Sequence, residues 1–275
     1  MGESQNAISP EQLKFRVGAA DCPLLFDVRR KEAYAKANDV LPVAAWRDHR
    51  EASAWARDLP PGREVVVYCA HGHQVSQGAV ALLREAGVPA RYLAGGIEGY
   101  RAAGGMTVAK TEWAPGGGGG PSRWVTRERP KIDRIACPWF IRRFVDRDAA
   151  IYYVAADQVK EAAKELDAEP FDIPGVRFSH VGELCSFDAF LETFGATDPA
   201  LDKLALVIRG ADTARLDLAP ECAGLLAVSL GLSAVHADDR DMLADGITVY
   251  DALYGWCRHA QGETHNWPAA KAGKA

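Results

Sequence analysis

A cysteine ends an apolar segment and is followed by a short loop with two histidines. The segment reads VVVYCAHGHQVSQG from Val65 to Gly78 and places Cys69 directly before a helix-like stretch. A glycine-containing loop turns successive backbone N–H groups inward, and the following helix points its positive end to the same place. Because a thiol there ionises more readily, the pattern predicts a nucleophilic cysteine. The alternative is a buried structural cysteine at the end of a strand.

The residues after the cysteine narrow the chemistry of this loop. Cysteine-dependent phosphatases and related arsenate reductases carry an oxyanion-binding arginine six residues after the cysteine, and Val75 occupies that position here. Phosphatase chemistry is therefore disfavoured. Gly72 supplies the tight turn. Ser76 can cap the next helix, and the alternative is that it has no further role. His71 and His73 are interpreted as loop donors or polarisable neighbours, with exposed, inert histidines as the alternative.

The elements that must position this loop alternate between strands and helices. Ser9, Pro10 and Gln12 resemble a capping box with proline at the first helical position, and Gly87 and Gly104 lie where helix C-caps belong. This alternation predicts a parallel, doubly wound α/β sheet, whose ligands bind beyond the carboxyl ends of the strands. The predicted strands are 23–28, 63–69 and 90–93, and the predicted helices are 30–37, 76–87 and 97–105.

Over about residues 8–108 the chain resembles the rhodanese family. The resemblance rests on three motifs in the right order and spacing, LLFDVRR, VVYCAHGHQVSQGAVALLREAG and RYLAGGIEGYRAAGG. It implies sulfur transfer through a persulfide on Cys69, cradled by backbone groups from Ala70 to Val75. Asp27 and Arg29 match the family's Asp-Val-Arg motif, where Arg29 either attracts an anionic donor or pairs with Asp27. Sulfur transfer of this kind requires no cofactor; its partners are a small sulfur donor and a thiol or other acceptor.

Two departures from the family pattern bear on activity. Gln74 stands where many rhodaneses carry an arginine in the loop, and NDVLPVAAW replaces the usual GHIPGA segment. A neutral glutamine does not neutralise a thiosulfate dianion, so the sulfur donor stays open. These departures motivate an alternative function, a non-enzymatic oxyanion or metal sensor or binding protein whose rhodanese domain has lost turnover.

A glycine-rich segment divides the chain into two halves. Five consecutive glycines between two prolines, in EWAPGGGGGPSRW, do not favour a helix or a strand. We predict a domain at 1–110, a linker at 111–122, a second domain at 123–267 and a flexible tail at 268–275. The alternative is a mobile loop within one domain.

Composition and charge exclude several classes of protein. A net charge of -5 disfavours nucleic acid as a partner, and no apolar run approaches the roughly 20 residues of a membrane span. No two of the six cysteines form a CxxC pair, which disfavours a structural zinc site and a disulfide framework. We expect a soluble, cytoplasmic protein with mostly free thiols and neither a membrane nor a nucleic acid as partner.

The second half is predicted to be mostly α-helical, with an α+β character. Segments 151–154 and 176–180 are its strand candidates, and a helix is expected from Asp198-Pro199 through Gly210. The segment 219–231 is apolar nearly all round and predicts a buried central helix. Residues 238–259 indicate one long helix or two short ones.

Basic and metal-ligating side chains also occur in the second half. Lys131, Arg134, Arg142 and Arg209 are candidates for binding an anion, although an amphipathic segment with a solvated basic face explains the first three equally well. A histidine with nearby carboxylates can form a metal site, although a histidine that merely ends a strand is the alternative. The metal-ligand candidates are His180, Glu183 and Asp212.

Residues 123–267 resemble the C-terminal domain of chromate-resistance ChrB-type proteins. The resemblance rests on RPKIDRIACPWFIRRF, HVGELCSFDAF, IRGADT and LAPECAGLLAVSLGLS, in order. It implies an association with chromate or oxidative-stress responses. Chromate is a tetrahedral dianion, so an oxyanion is a further candidate partner. A metal ion in this half is a candidate cofactor. Together the two halves predict a sulfurtransferase coupled to chromate or oxidative-stress resistance.

Overall fold

The computed structural model describes residues 5–113 and 120–263 of the chain. The strands in this part of the chain are β1 (Ala7–Ile8), β2 (Leu24–Asp27), β3 (Asp39–Val40), β4 (Ala45–Trp46), β5 (Val65–Tyr68), β6 (Ala90–Leu93), β7 (Val108–Ala109), β8 (Arg123–Arg127), β9 (Ala150–Val154) and β10 (Glu169–Pro170). The helices are α1 (Pro10–Arg16), α2 (Lys31–Lys36), α3 (Ala52–Trp55), α4 (Gln74–Glu85), α5 (Gly96–Ala102), α6 (Asp133–Phe140), α7 (Val159–Glu165), α8 (Ser186–Phe194), α9 (Pro199–Asp212), α10 (Cys222–Val235) and α11 (Asp239–Gly255). Short π-helical segments, Ile141–Val145 and Trp256–Ala260, extend α6 and α11.

The first half is built on a five-stranded sheet in the order β1-β6-β5-β2-β4, with every pair parallel. The central strand β5 is buried on both faces because its side chains alternate between two cores. Val66 and Tyr68 face the side covered by α1 and α5, and Val65 and Val67 face α3 and α4. The predicted parallel, doubly wound domain is therefore confirmed.

Local signals at the ends of the helices agree with this arrangement. Ser9 and Gln12 form the reciprocal capping box at the start of α1, with Pro10 at the first helical position. Gly87 and Gly104 follow α4 and α5 with φ of 83° and 70°, the left-handed conformation that ends a helix. These caps fix where each helix stops and so where the next strand starts.

The second half combines helices with a small sheet in the order β10-β8-β9, whose pairs are parallel. Its core is aromatic and includes the fully buried Trp124, Phe178 and Phe190. Trp113, which the sequence places in the linker, packs against Trp124 with ring centroids 5.5 Å apart. Residues 114–119 of the predicted linker and the whole predicted tail, 268–275, lie outside the described residues.

Two predictions for the second half are wrong. Segment 176–180 forms no strand, because Phe178 makes only an isolated bridge to Phe171 and serves as a buried anchor for a loop. Helix α10 is not a buried central helix: Val228, Leu230 and Val235 are exposed. Helix α10 packs on α9 and α11, and its other side is exposed. The apolar composition of the segment therefore predicted the helix but not how much of its surface is buried.

Direct contacts join the two halves. The Val43 N–H donates to the Phe144 carbonyl at 3.2 Å, and the Arg147 guanidinium donates to the Cys22 carbonyl at 3.0 Å. Arg258 similarly donates to the Val17 carbonyl at 3.0 Å. Cys22 precedes β2 and Val43 precedes β4, so the second half contacts the amino edge of the first sheet, opposite the edge that carries Cys69. Across the described ranges, no helix combines the length and the apolar character that crossing a bilayer requires.

Candidate functional site

Cys69 follows the last residue of β5 at the carboxyl edge of the first sheet, and only 7% of it is exposed. Its Sγ lies 3.3 Å from the Ser76 Oγ, and that hydroxyl also donates to the His73 carbonyl at 3.2 Å. Ser76 has one hydroxyl proton for two acceptors. When Cys69 is a thiol, its S–H can donate to Oγ; when it is a thiolate, the hydroxyl can turn and donate to sulfur. Ser76 can therefore form a hydrogen bond with Cys69 in both the thiol and the thiolate form of the cysteine.

The surroundings of Cys69 favour its ionised form. Burial, the largest single influence, raises the pKa of the thiol, but hydrogen bonds from the Ser76 hydroxyl and from backbone N–H groups of Ser76, His71 and His73 outweigh it. The net result is a pKa below that of an ordinary cysteine. Cys257 is equally buried, at 7% exposure, but its burial raises the pKa to about 11. Because the two cysteines are equally exposed, we attribute the difference between their pKa values to the hydrogen-bond donors around Cys69.

Backbone contacts hold the Cys69 loop against the start of α5. The carbonyls of Cys69 and Ala70 accept hydrogen bonds from the N–H groups of Ile97 and Glu98, at 3.0 and 3.1 Å. Gly72 has a φ of 72°, and a Cβ there would lie 2.6 Å from the Leu93 carbonyl oxygen. With its carbonyls bound outward, the loop keeps its N–H groups directed at the sulfur.

The side chains of the other predicted loop residues differ in exposure, and His71 and His73 act on the thiol through their backbone N–H groups. His71, His73 and Gln74 are exposed and Val75 is half-buried; the two histidine rings lie 6.2 Å apart, centroid to centroid. The prediction that Ser76 caps α4 is wrong, because α4 begins at Gln74 and its N-cap is His73. Ser76 lies within the first turn, where its hydroxyl faces Cys69.

Asp27 and Arg29 form a buried ion pair. The Arg29 Nε lies 2.8 Å from Asp27 Oδ2, and the guanidinium also donates to the Asp39 carbonyl at 3.0 Å. It lies near the faces of the Tyr34 and Tyr68 rings. Of the two roles considered for Arg29, the structure shows the ion pair with Asp27.

Removal of the Ser76 hydroxyl is expected to raise the pKa of Cys69. In Ser76→Ala, alkylation of Cys69 by iodoacetamide at pH 7 should slow by roughly 10-fold, since a hydrogen bond to a charged group contributes about 1.5–3 kcal/mol. Because the thiolate is the reacting form, the alkylation rate should rise with pH. The pH of the half-maximal rate should lie below that of an ordinary thiol in the wild type and should be higher in Ser76→Ala. Ser76→Thr, which keeps a hydroxyl, is the control. An unchanged pH profile in Ser76→Ala would contradict this role.

A second group of ionisable side chains meets in the second half. The His180 Nε2 lies 3.1 Å from Asp212 Oδ2 and 3.5 Å from both Asp133 Oδ2 and Asp172 Oδ1. Asp133 begins α6, Asp212 ends α9 and His180 lies in the loop after Gly175. We call Asp133, His180 and Asp212 the carboxylate–histidine cluster.

The cluster differs from the predicted metal-ligand set in one member. His180 and Asp212 are both present, but Glu183 is 80% exposed and pairs with Arg215 at 2.8 Å. Its place is taken by Asp133, which the sequence did not single out for this role. Proximity to His180 along the chain favoured Glu183, whereas the fold brings in Asp133 from the start of a distant helix.

The charged groups of the cluster shift one another's pKa values. Burial, followed by the charges of Asp133 and Asp172, raises the pKa of Asp212 to about 7. The hydrogen bond to Asp133 and the nearby carboxylates raise the pKa of His180 to about 9, against the effect of burial. Without another cation, His180 is therefore held in its charged form among acidic groups.

The predicted anion-binding residues are each engaged separately. Arg209 binds both carboxylate oxygens of Asp188, at 2.9 and 2.6 Å. Arg134 donates to the Glu128 carbonyl and Arg142 to the Ala149 carbonyl, at 2.8 and 3.3 Å. Lys131 is half-buried just before α6. Because the three arginines have separate protein acceptors, the structure does not present them as one anion-binding group.

Comparison with known proteins divides the chain into two matched regions, with the glycine-rich segment between them. A family model of the Rhodanese-like domain matches residues 9–103, and one of the ChrB C-terminal domain matches residues 124–257. Protein ChrB of Cupriavidus metallidurans is 34% identical over 133 residues. That match covers 48% of this chain and 40% of the relative, so the chain spans less than half of the relative's length.

Solved structures match part of the chain. A rhodanese-related protein from Thermoplasma volcanium is 22% identical, with a TM-score of 0.33, over 38% of this chain and 97% of its own. The Alr3790 protein from Anabaena sp. is 31% identical, with a TM-score of 0.32, over 36% of this chain and 80% of its own.

Proposed function

Because the chain joins a rhodanese-like domain to a ChrB C-terminal domain, we propose that it is a sulfurtransferase that works through a persulfide on Cys69. We further propose that the second domain couples this chemistry to resistance to chromate or oxidative stress. The observation that carries the proposal is the environment of Cys69: a buried thiol whose pKa is lowered by the Ser76 hydroxyl and by backbone N–H groups of the loop.

The reaction has two displacement steps at sulfur. The Cys69 thiolate attacks the sulfane sulfur of the donor; the donor's S–S bond breaks and its leaving group departs with the electron pair. A thiolate acceptor then attacks the outer sulfur of the persulfide, and Cys69 leaves as the thiolate. The same N–H groups that lower the pKa of Cys69 also stabilise the persulfide anion and the departing thiolate. No net oxidation or reduction of the protein occurs over the cycle.

The charges around the loop favour a donor of low negative charge. Gln74 is neutral and exposed, and Arg29 is committed to Asp27 and Asp39 inside the protein. The structure thus gives a dianion such as thiosulfate no arginine partner in the loop. The reacting S–SH group of a small organic persulfide carries at most one negative charge, and it meets the N–H groups of the loop and the positive end of α4.

Mass spectrometry tests the proposal directly. The full chain is incubated separately with thiosulfate and with glutathione persulfide, and its cysteine-containing peptides are analysed without reduction. We expect the mass of one added sulfur atom on the peptide that contains Cys69, with more loading from the persulfide than from thiosulfate. If no donor loads Cys69 while the chain is folded, the alternative of a non-enzymatic binding protein, which the neutral Gln74 favours, would replace this proposal.

A chromate-sensitive host tests the coupling to resistance. Expression of the wild-type chain is expected to raise the chromate concentration that arrests growth, and expression of Cys69→Ala at the same level is not. Equal protection by both chains would separate any resistance function from the chemistry of Cys69.

A further inference from the structure

We propose that the carboxylate–histidine cluster, Asp133, His180 and Asp212, binds one divalent transition-metal ion. This site lies in the second half of the chain and does not depend on the chemistry of Cys69. Among the described residues, it is a group whose ligand atoms approach closely enough to share an ion.

The spacing of the ligand atoms suits a single ion. Each of the three residues offers one ligand atom, and all of these atoms lie within 4.8 Å of one another. Bonds of about 2.0–2.2 Å to imidazole nitrogen and carboxylate oxygen place adjacent ligands roughly 3–4 Å apart. The His180 Nε2 lies 3.1 Å from Asp212 Oδ2 and 3.5 Å from Asp133 Oδ2. Small side-chain rotations therefore suffice to surround an ion.

Asp133 has a buried oxygen that lacks a partner. The residue is 1% exposed, and its Oδ2 accepts the Ser186 N–H at 2.6 Å. Its Oδ1 is buried without a hydrogen-bond donor. A buried carboxylate oxygen with no donor is costly, because folding has removed it from water. A bound cation would satisfy this oxygen.

The charges near the cluster also call for a cation. Within residues 5–113 and 120–263, Asp133 and Asp212 form no salt bridge with lysine or arginine, whereas the neighbouring Asp172 pairs with Arg127 at 2.9 Å and Arg134 at 3.3 Å. His180 is thus the basic side chain shared by these two carboxylates, and with a neutral His180 as ligand their two charges match that of one divalent ion. Asp172 is a positioning residue that acts through Ser186. Its Oδ1 accepts a hydrogen bond from the Ser186 hydroxyl at 2.9 Å, and the Ser186 N–H donates to Asp133.

The ligand types and their exposure indicate which ion binds. Mg²⁺ and Ca²⁺ prefer oxygen ligands alone, whereas imidazole suits Fe²⁺ and Zn²⁺, and the two carboxylates of the set also suit Mn²⁺. His180 is 40% exposed while Asp133 is buried, so the cluster opens to solvent on the histidine side. An ion there would keep coordination positions free for water or for an oxyanion.

Metal titration of the full chain tests the site. After treatment with a chelator and its removal, the protein is titrated with Mn²⁺, and the free ion is followed by its electron paramagnetic resonance signal. We expect one Mn²⁺ per chain, displaced by Zn²⁺ and not by an equal concentration of Mg²⁺. Asp133→Asn and Asp212→Asn should each weaken binding at least about 10-fold, since changes even in the groups that orient ligands cost 10- to 100-fold.

Matched variants separate this site from surface binding and from the sulfur chemistry. Glu183→Gln removes a nearby exposed carboxylate and should leave the affinity unchanged, as should Cys69→Ala. Because Asp133 is buried and its replacement can harm folding, His180→Ala, at a more exposed position, provides the second test and should also weaken binding. Circular dichroism establishes that each variant is folded. Absence of stoichiometric binding to the wild type would overturn the proposal. So would a wild-type affinity in both folded variants, His180→Ala and Asp212→Asn.

Discussion

Replacement of Cys69 by alanine is expected to abolish the release of thiocyanate from cyanide and a sulfur donor. The persulfide forms on this sulfur, and without it neither displacement step has a nucleophile or a leaving group. The rate should fall to that of the uncatalysed reaction. Alanine removes only the Sγ that contacts the Ser76 hydroxyl and leaves the backbone of the loop intact, so the variant is expected to fold. The measurement is cyanolysis with glutathione persulfide as donor, with the circular dichroism spectrum as the check on folding.

A second cysteine provides a control matched in burial. Cys257 is 7% exposed, as Cys69 is, but its pKa is raised to about 11 rather than lowered. Cys257→Ala should therefore release thiocyanate at the wild-type rate. Equal release by the wild type and Cys69→Ala would refute the proposed function, and loss of release in both variants would point to damage to the fold.

The first half of the structure could be predicted closely because its signals are local. The buried run that forms β5, the glycines at the helix ends and the three rhodanese-like motifs all lie in short segments of sequence. The position of Cys69 at the end of a strand followed from the same segments. The contact between Ser76 and the thiol did not, because it depends on α4 starting two residues earlier than predicted. A shift of two residues turned an expected cap into a hydrogen-bond partner of sulfur.

The second half shows where such reasoning stops. Asp133 joins His180 and Asp212 through the packing of α6 against α8 and α9, and no spacing along the chain reveals that meeting. Glu183, three residues from His180, was the natural choice, but its side chain points to Arg215 and solvent. The exposed apolar residues of α10, such as Val235, make the same point: composition predicts the helix but not how many of its faces find a neighbour.

Gly72→Ala is expected to damage both the stability of the protein and the reactivity of Cys69. Gly72 has a φ of 72°, which alone costs any other L-residue roughly 1–2 kcal/mol. The added Cβ would also lie 2.6 Å from the Leu93 carbonyl oxygen and 2.7 Å from the Gly95 nitrogen. These atoms belong to the backbone and cannot rotate away, so the loop must move. Movement of the loop displaces the N–H groups of His71 and His73 that stabilise the thiolate.

Gly62 separates the backbone strain from the collision. It has the same φ of 72°, but a Cβ there meets nothing within 4 Å. Urea denaturation should show Gly72→Ala destabilised by about 1–3 kcal/mol more than Gly62→Ala, the usual cost of overpacking a well-packed site. Alkylation at pH 7 should slow in Gly72→Ala and match the wild type in Gly62→Ala. Equal losses of stability in the two variants, with unchanged alkylation, would show that the close approach to Leu93 does not position the loop.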